Sequence, residues 1–241
     1  MKKILIIVPD GGMLFESAGI ADILMQANRL HPEGASSPCY QVQLATTQPH
    51  QVIHGQSGLN LLADHRLHEI DPREPLDTII ITGRGQNAQE GIAVVDWLRL
   101  AAPHARRIAS ICGGAMLLAQ SGLLNGKRAT THWKLLETLQ MEYPQVRVEG
   151  GPLYIQDEHM WTSGGVSSGF DLTLALVEED YGFSLARDIA RQRLEQTNDT
   201  LERVAQQTGF SSSINLRRLF EKQLHLTPGE YRQRFHCRKM A

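Results

Sequence analysis

One cysteine in this sequence sits where it could do chemistry. Residues Arg107 to Leu124 read RIASICGGAMLLAQSGLL. A short apolar run of β type (Ile108 to Ile111) ends in Cys112, Gly113 and Gly114, and then becomes an Ala/Met/Leu run of helical period closed by Gly122. The pattern predicts strand, sharp turn and helix. Such a turn lifts the Cys112 side chain off the end of a strand. It also aims the following backbone N–H groups and the helix N-terminus at whatever lies beside the sulfur, which favours a thiolate and any negative charge that develops nearby. Gly113 and Gly114 permit close backbone approach and unusual dihedrals. Taken alone, the same cysteine also fits a buried structural thiol before an ordinary glycine turn. Glu16 lies in the first turn of a predicted helix, where the helix dipole favours a carboxylate, and His132 stands at the start of another. There is no HxH, HExxH or CxxC, so neither a metal nor another cofactor is expected.

The elements that must position these groups alternate. Lys3 to Val8 is an unbroken Ile/Leu/Val run, the mark of a strand buried on both faces of a parallel sheet. Pro9-Asp10-Gly11-Gly12 ends it, and a helix follows from Phe15 to Leu30. A second strand is predicted from Tyr40 to Ala45, a short β segment within Ile53 to Leu62, a buried strand from Leu76 to Thr82 and a helix from about Gln89 to Ala102. Beyond the cysteine segment come Lys127 to Thr131, a helix from Trp133, short strands at Val146 to Glu149, Leu153 to Gln156 and Met160 to Thr162, and a helix from Ser167 toward Tyr181. This order predicts an α/β fold with a parallel sheet covered on both faces, ending near Gly182.

The 241 residues, 41% hydrophobic and 21% charged, have the composition of an ordinary globular protein. No apolar run reaches the roughly 18 residues of a membrane helix, and the N-terminal run is too short for a signal peptide and has no cleavage site. No membrane association is expected. Three widely spaced cysteines (Cys39, Cys112, Cys237) suggest neither a disulfide framework nor a metal site, which fits a reducing cytoplasm. The net charge of −2 conceals an asymmetry: Met1 to Gly182 has 13 Lys and Arg against 20 Asp and Glu, whereas Phe183 to Ala241 has 11 against 6. A unit at −7 is joined to one at +5, and the basic one is a candidate for nucleic acid.

The stretches VPDGGMLFESAGIADIL, ASICGGAMLLAQSGLL, KRATTHW and TSGGVSSGFDLTLALVEE resemble, in order, the DJ-1/PfpI branch of the class I glutamine-amidotransferase-like superfamily. The resemblance covers nearly all of Met1 to Tyr181. It implies a flavodoxin-like three-layer sandwich, with Cys112 as the elbow cysteine, Glu16 as the acid that hydrogen-bonds its sulfur and His132 as a nearby histidine. Gly83, with Gly113, would belong to an oxyanion-type pocket of backbone amides. Protease-like members have Cys-His at the elbow, but Gly113 follows Cys112 here, so peptidase activity is not expected. The usual Gly-Gly of the oxyanion loop is Gly83-Arg84.

In the basic segment, Leu201, Val204 and Ala205 share a helical face, Gly209 breaks the helix, and Ser211 or Ser212 caps a second helix with Leu216, Leu219 and Phe220 inward. Helix, turn and helix at this spacing predict either a helix-turn-helix or an ordinary hairpin. GFSS, LRRLF and TPGEYRQRF resemble the second helix-turn-helix of AraC/XylS-type regulators. That resemblance implies a small all-α unit in which Ser213, Ile214, Arg217 and Arg218 face base edges, while Lys222, Arg232 and Arg234 meet phosphates. Only one such unit is legible, so a division into 1–182 and 183–241 is expected, with a shortened DNA-binding part. The leading reading is a cytoplasmic, homodimeric transcription regulator with DNA and an unidentified small-molecule effector as partners, its sheet domain a non-catalytic sensor. The alternative is a cysteine-dependent enzyme of the hydratase or glyoxalase-like kind.

Overall fold

The computed structural model describes residues 1–34, 36–83, 88–196, 227 and 229–230. The chain begins with the strand β1 (Lys2–Val8), an interior strand of the sheet, and passes through the helix α1 (Leu14–Leu30) to β2 (Tyr40–Thr46). A hairpin of β3 (Val52–His54) and β4 (Asn60–Leu62) follows, then β5 (His65–Arg66), β6 (Leu76–Ile81) and α2 (Ala88–Ala101). Next come β7 (Ala105–Ile111), α3 (Gly114–Gln120), β8 (Arg128–Ala129), a 3-10 turn at Trp133–Leu135, α4 (Leu136–Glu142) and β9 (Arg147–Val148). The strands β10 (Tyr154–Asp157) and β11 (Met160–Ser163) and the helices α5 (Val166–Tyr181) and α6 (Phe183–Gln196) complete the described fold.

Seven strands form the main sheet in the order β10-β11-β7-β6-β1-β2-β5. All its pairings are parallel except β10 with β11. The run β2-β1-β6-β7-β11 is the 2-1-3-4-5 order of flavodoxin-like sheets. The expected parallel sheet is present, with one antiparallel edge that Glu158 makes possible by turning at a positive φ of 54°. Lys127 to Thr131 contributes only the two-residue β8, which pairs with β9 outside the main sheet. Helix-facing alternation divides the core in two. Ile4, Ile6, Ile80, Ala109 and Ile111 pack under α1, α5 and α6, and Leu5, Ile7, Ile79, Ile81 and Ile108 pack under α2, α3 and α4.

The ends of the helices follow local chemistry. The α3 helix stops at Gly122, whose φ of +82° is open to glycine at little cost. The α5 helix stops at Gly182 at +84°, whose N–H donates to Glu178 O at 2.8 Å. At the opposite edge of the sheet from the helix starts, Arg107 is 2% exposed. Its guanidinium donates to Thr78 Oγ1 at 2.8 Å and to Glu179 at 2.6 Å, and it pairs with Asp180. Arg106 and Lys2 complete a cluster with Asp77.

Candidate functional site

The site lies at the C-terminal edge of the sheet, where the strand order reverses and α/β sheets leave a crevice. β1 delivers α1 and Glu16, β6 delivers Gly83 and β7 delivers Cys112. Cys112 adopts φ +56°, a left-handed conformation that a non-glycine residue holds only under constraint, at a cost on the order of 1–3 kcal/mol. The constraint is visible on both sides. The Cys112 N–H donates to Ser163 O at 3.1 Å, and its carbonyl accepts from Thr131 Oγ1 at 2.8 Å. Gly114 allows α3 to start against β6, since a β-carbon there would lie 2.4 Å from Ile81 O.

Glu16 is 2% exposed. Its Oε2 accepts the Gly83 N–H at 3.2 Å, and its carboxyl is hydrogen-bonded to the Cys112 thiol. Burial raises its pKa from 4.5 to about 7, while the Gly83 and Cys112 bonds pull the other way. Burial thus leaves the Glu16 carboxyl able to hold or lose a proton near neutrality within hydrogen-bonding reach of the thiol, which suits a group that takes or returns the proton of Cys112. Gly83, assigned by resemblance to a pocket of backbone amides, uses its own amide on Glu16. Gly113 lies against it at the floor of the site. His132 is half-buried and caps the 3-10 turn, its Nδ1 accepting the Lys134 N–H at 3.4 Å, with its ring 5.7 Å from that of Trp133.

Two adjoining cavities share Met13, Glu16, Cys112 and His132. One, of about 290 Å³, is completed by Gln56, Gly83, Gly113, Lys134 and Leu135. The other, of about 380 Å³, runs past Thr130, Thr131 and Trp133 toward the start of α5 at Gly165, Val166, Ser167 and Ser168. Glu16, Cys112, His132, Gly83 and Gly113 are thus brought together. The hydroxyls of Thr130, Thr131, Ser167 and Ser168 were not singled out from sequence, although KRATTHW and SGGVSS carried the signal as paired hydroxyl residues beside turns. Among the described residues no group of three or more His, Cys, Asp or Glu could hold a metal ion, and no helix is long and apolar enough to cross a membrane. Ser213, Ile214, Arg217, Arg218 and Lys222 lie outside the described residues, as do Arg232 and Arg234.

Comparison with known proteins agrees with this fold. The DJ-1/PfpI family model matches residues 2–179, and the model for bacterial regulatory helix-turn-helix proteins of the AraC family matches residues 194–233. The chain is 35% identical over 122 residues to the isonitrile hydratase of Pseudomonas putida, covering 48% of this chain and 51% of that protein. It is 32% identical over 142 residues to the HTH-type transcriptional regulator CdhR of Pseudomonas aeruginosa, covering 56% of this chain and 42% of that one. The chain thus spans about half the length of these relatives. The crystal structure of an AraC family transcriptional regulator from Pseudomonas putida superposes with a TM-score of 0.69 at 20% identity, over 80% of this chain and 99% of that one. Drosophila melanogaster DJ-1beta superposes at 0.65, also at 20% identity, over 80% and 97%. With the elbow cysteine, its buried acid and a family match over residues 2–179, the chain belongs to the DJ-1/PfpI family.

Proposed function

We propose that this chain is an AraC-type transcription regulator in which a DJ-1/PfpI-like domain, 1–182, senses a small molecule or redox state and a basic unit, 183–241, binds DNA. The observation that carries the reading is the joining, on one chain, of the Cys112–Glu16 cavity to an AraC-family match at residues 194–233 in a segment of net charge +5, from 11 basic and 6 acidic residues. Similarity to CdhR supports it. A basic segment of this kind gains affinity by displacing counterions from phosphates. A single helix-turn-helix gains further from being presented twice, so the regulator acts as a homodimer in the cytoplasm.

A second reading has its own support in the similarity to an isonitrile hydratase. In such an enzyme the Cys112 sulfur would add to an electrophilic carbon, its proton would pass by way of Glu16 to that carbon, and water would release the product and restore the thiol. The test that separates the two is binding to a library of genomic fragments by the full chain and by residues 1–196, which keep α6 and its buried Leu185, Ala186 and Ile189. The regulator reading expects fragments enriched by the full chain alone. Equal retention by both, together with turnover of an isonitrile, would replace it with the enzyme.

A further inference from the structure

Two helices line the Cys112 cavity and also hold the element that leads away from it. α1 brings Glu16 to the cavity at its first turn, and α5 brings Ser167 and Ser168 at its own. Both helices lie on one face of the sheet and touch each other just beyond the cavity. There a β-carbon on Gly19 would meet the Phe170 ring at 2.4 Å, and the Phe15 and Phe170 rings stand edge to face at 5.4 Å. The neighbouring Gly169 is seated on Ile111, the residue before Cys112, where a β-carbon would lie 2.7 Å from Ile111 Cγ2. α1 and α5 together also form the seat of α6, which buries Leu185, Ala186 and Ile189 in the same core.

We propose that occupancy of the Cys112 cavity is reported at α6. An occupant between the first turns of α1 and α5 changes their separation, the helix pair pivots on the Gly19–Phe170 contact, and the seating of Leu185, Ala186 and Ile189 changes with it. The inference rests on the sensor reading, because α6 runs into the stretch matched by the AraC model from residue 194. Its physical basis is that close-packed interiors pass displacements on rather than absorb them. The Arg107 bonds to Glu179 and Asp180 fix the last turn of α5 to β7, which favours pivoting over sliding. Gly182, at φ +84°, lets α6 change its angle to α5 without strain.

The test uses the full chain with Cys39→Ala and Cys237→Ser, so that iodoacetamide marks Cys112 alone, as verified by mass. Hydrogen exchange is then followed at the amides of residues 183–196 before and after modification. The expected result is a change of about tenfold in α6 exchange, beyond any change in global unfolding measured by urea. Gly19→Ala, which disturbs the pivot directly, should shift α6 exchange without any modification, and Gly19→Ala/Phe170→Leu should restore it. The coupling is overturned if Cys112 is modified while α6 exchange stays constant, or if Gly19→Ala leaves it constant in a folded protein. DNA retention measured on the same samples keeps the two ideas apart. An α6 response in a protein that binds no DNA sinks only the regulator, and DNA binding with an inert α6 sinks only the coupling.

Discussion

Gly83 stands so close to the elbow that a β-carbon on it would lie 3.5 Å from Cys112 Sγ and 2.9 Å from the Gly113 nitrogen. The second contact is with backbone, which cannot swing aside. Gly83→Ala should therefore displace β6 from the elbow, lengthen the Gly83–Glu16 bond and destabilise the fold by about 1–3 kcal/mol. Urea unfolding and the rate of Cys112 alkylation check this together. Unchanged values for both would mean that the two loops are not held in contact.

The buried carboxyl of Glu16 predicts a pH dependence of stability with a definite sign. In the unfolded chain it loses its proton near the ordinary value of 4.5, and in the folded chain near 7. Below this window both states are protonated. Within it the folded state binds more protons, so stability falls as pH rises and then levels off above about 7, by an amount on the order of 3 kcal/mol. Urea midpoints measured from pH 4.5 to 8 should show the fall in the native protein and not in Glu16→Gln. A fall of the same size in both would place the titration elsewhere.

Cys112 should report the same carboxyl. In Glu16→Gln the amide can still donate to a thiolate but no longer titrates, so the alkylation profile should lose its pH dependence around 7. Glu16→Leu, which can neither titrate nor hydrogen-bond the sulfur, should move the inflection away from the native position. Profiles identical in native protein and both variants would show that the sulfur and the carboxyl act independently.

The Arg107 cluster gives a prediction about stability far from the cavity. Arg107 and Asp180 side chains are 2% and 1% exposed, and removing the Asp180 carboxylate takes a counter-charge from Lys2, Arg106 and Arg107 and the acceptor of the Tyr40 hydroxyl together, while Arg107 keeps Glu179 and Thr78. Asp180→Ala should cost about 3–5 kcal/mol, and joint replacement by apolar residues of similar volume should cost much less. Thermal unfolding of the two variants decides it.

What the sequence revealed, and what it hid, follows from how local each signal is. The Ile108 to Gly122 pattern announces strand, turn and helix because each part is written in adjacent residues, and the resemblance carried by VPDGGMLFESAG placed Glu16 beside the cysteine. The φ of +56° at Cys112 left no trace, since it is imposed by Ser163 and Thr131 from distant segments. The antiparallel β10 was hidden for a similar reason: a four-residue edge strand pairs either way, and Glu158 turning at positive φ is not a usual turn signal. Arg107 and Asp180 look like surface charges in sequence, because burial of such residues depends on partners that arrive through tertiary contacts. The threonines and serines lining the larger cavity were missed because hydroxyl residues are common at turns for local reasons.

The central claim is that a sensing domain is joined to a DNA-binding unit, and the most direct measurement is the affinity of the full chain for its best-enriched genomic fragment across a salt series. The account predicts that affinity falls steeply with salt, that Arg217→Ala/Arg218→Ala lowers it and weakens the preference for that fragment over others, that Lys222→Ala/Arg232→Ala reduces the salt slope by about two, and that residues 1–196 do not bind. Unchanged affinity and preference in the Arg217/Arg218 variant, with an unchanged slope in the Lys222/Arg232 variant, would contradict it.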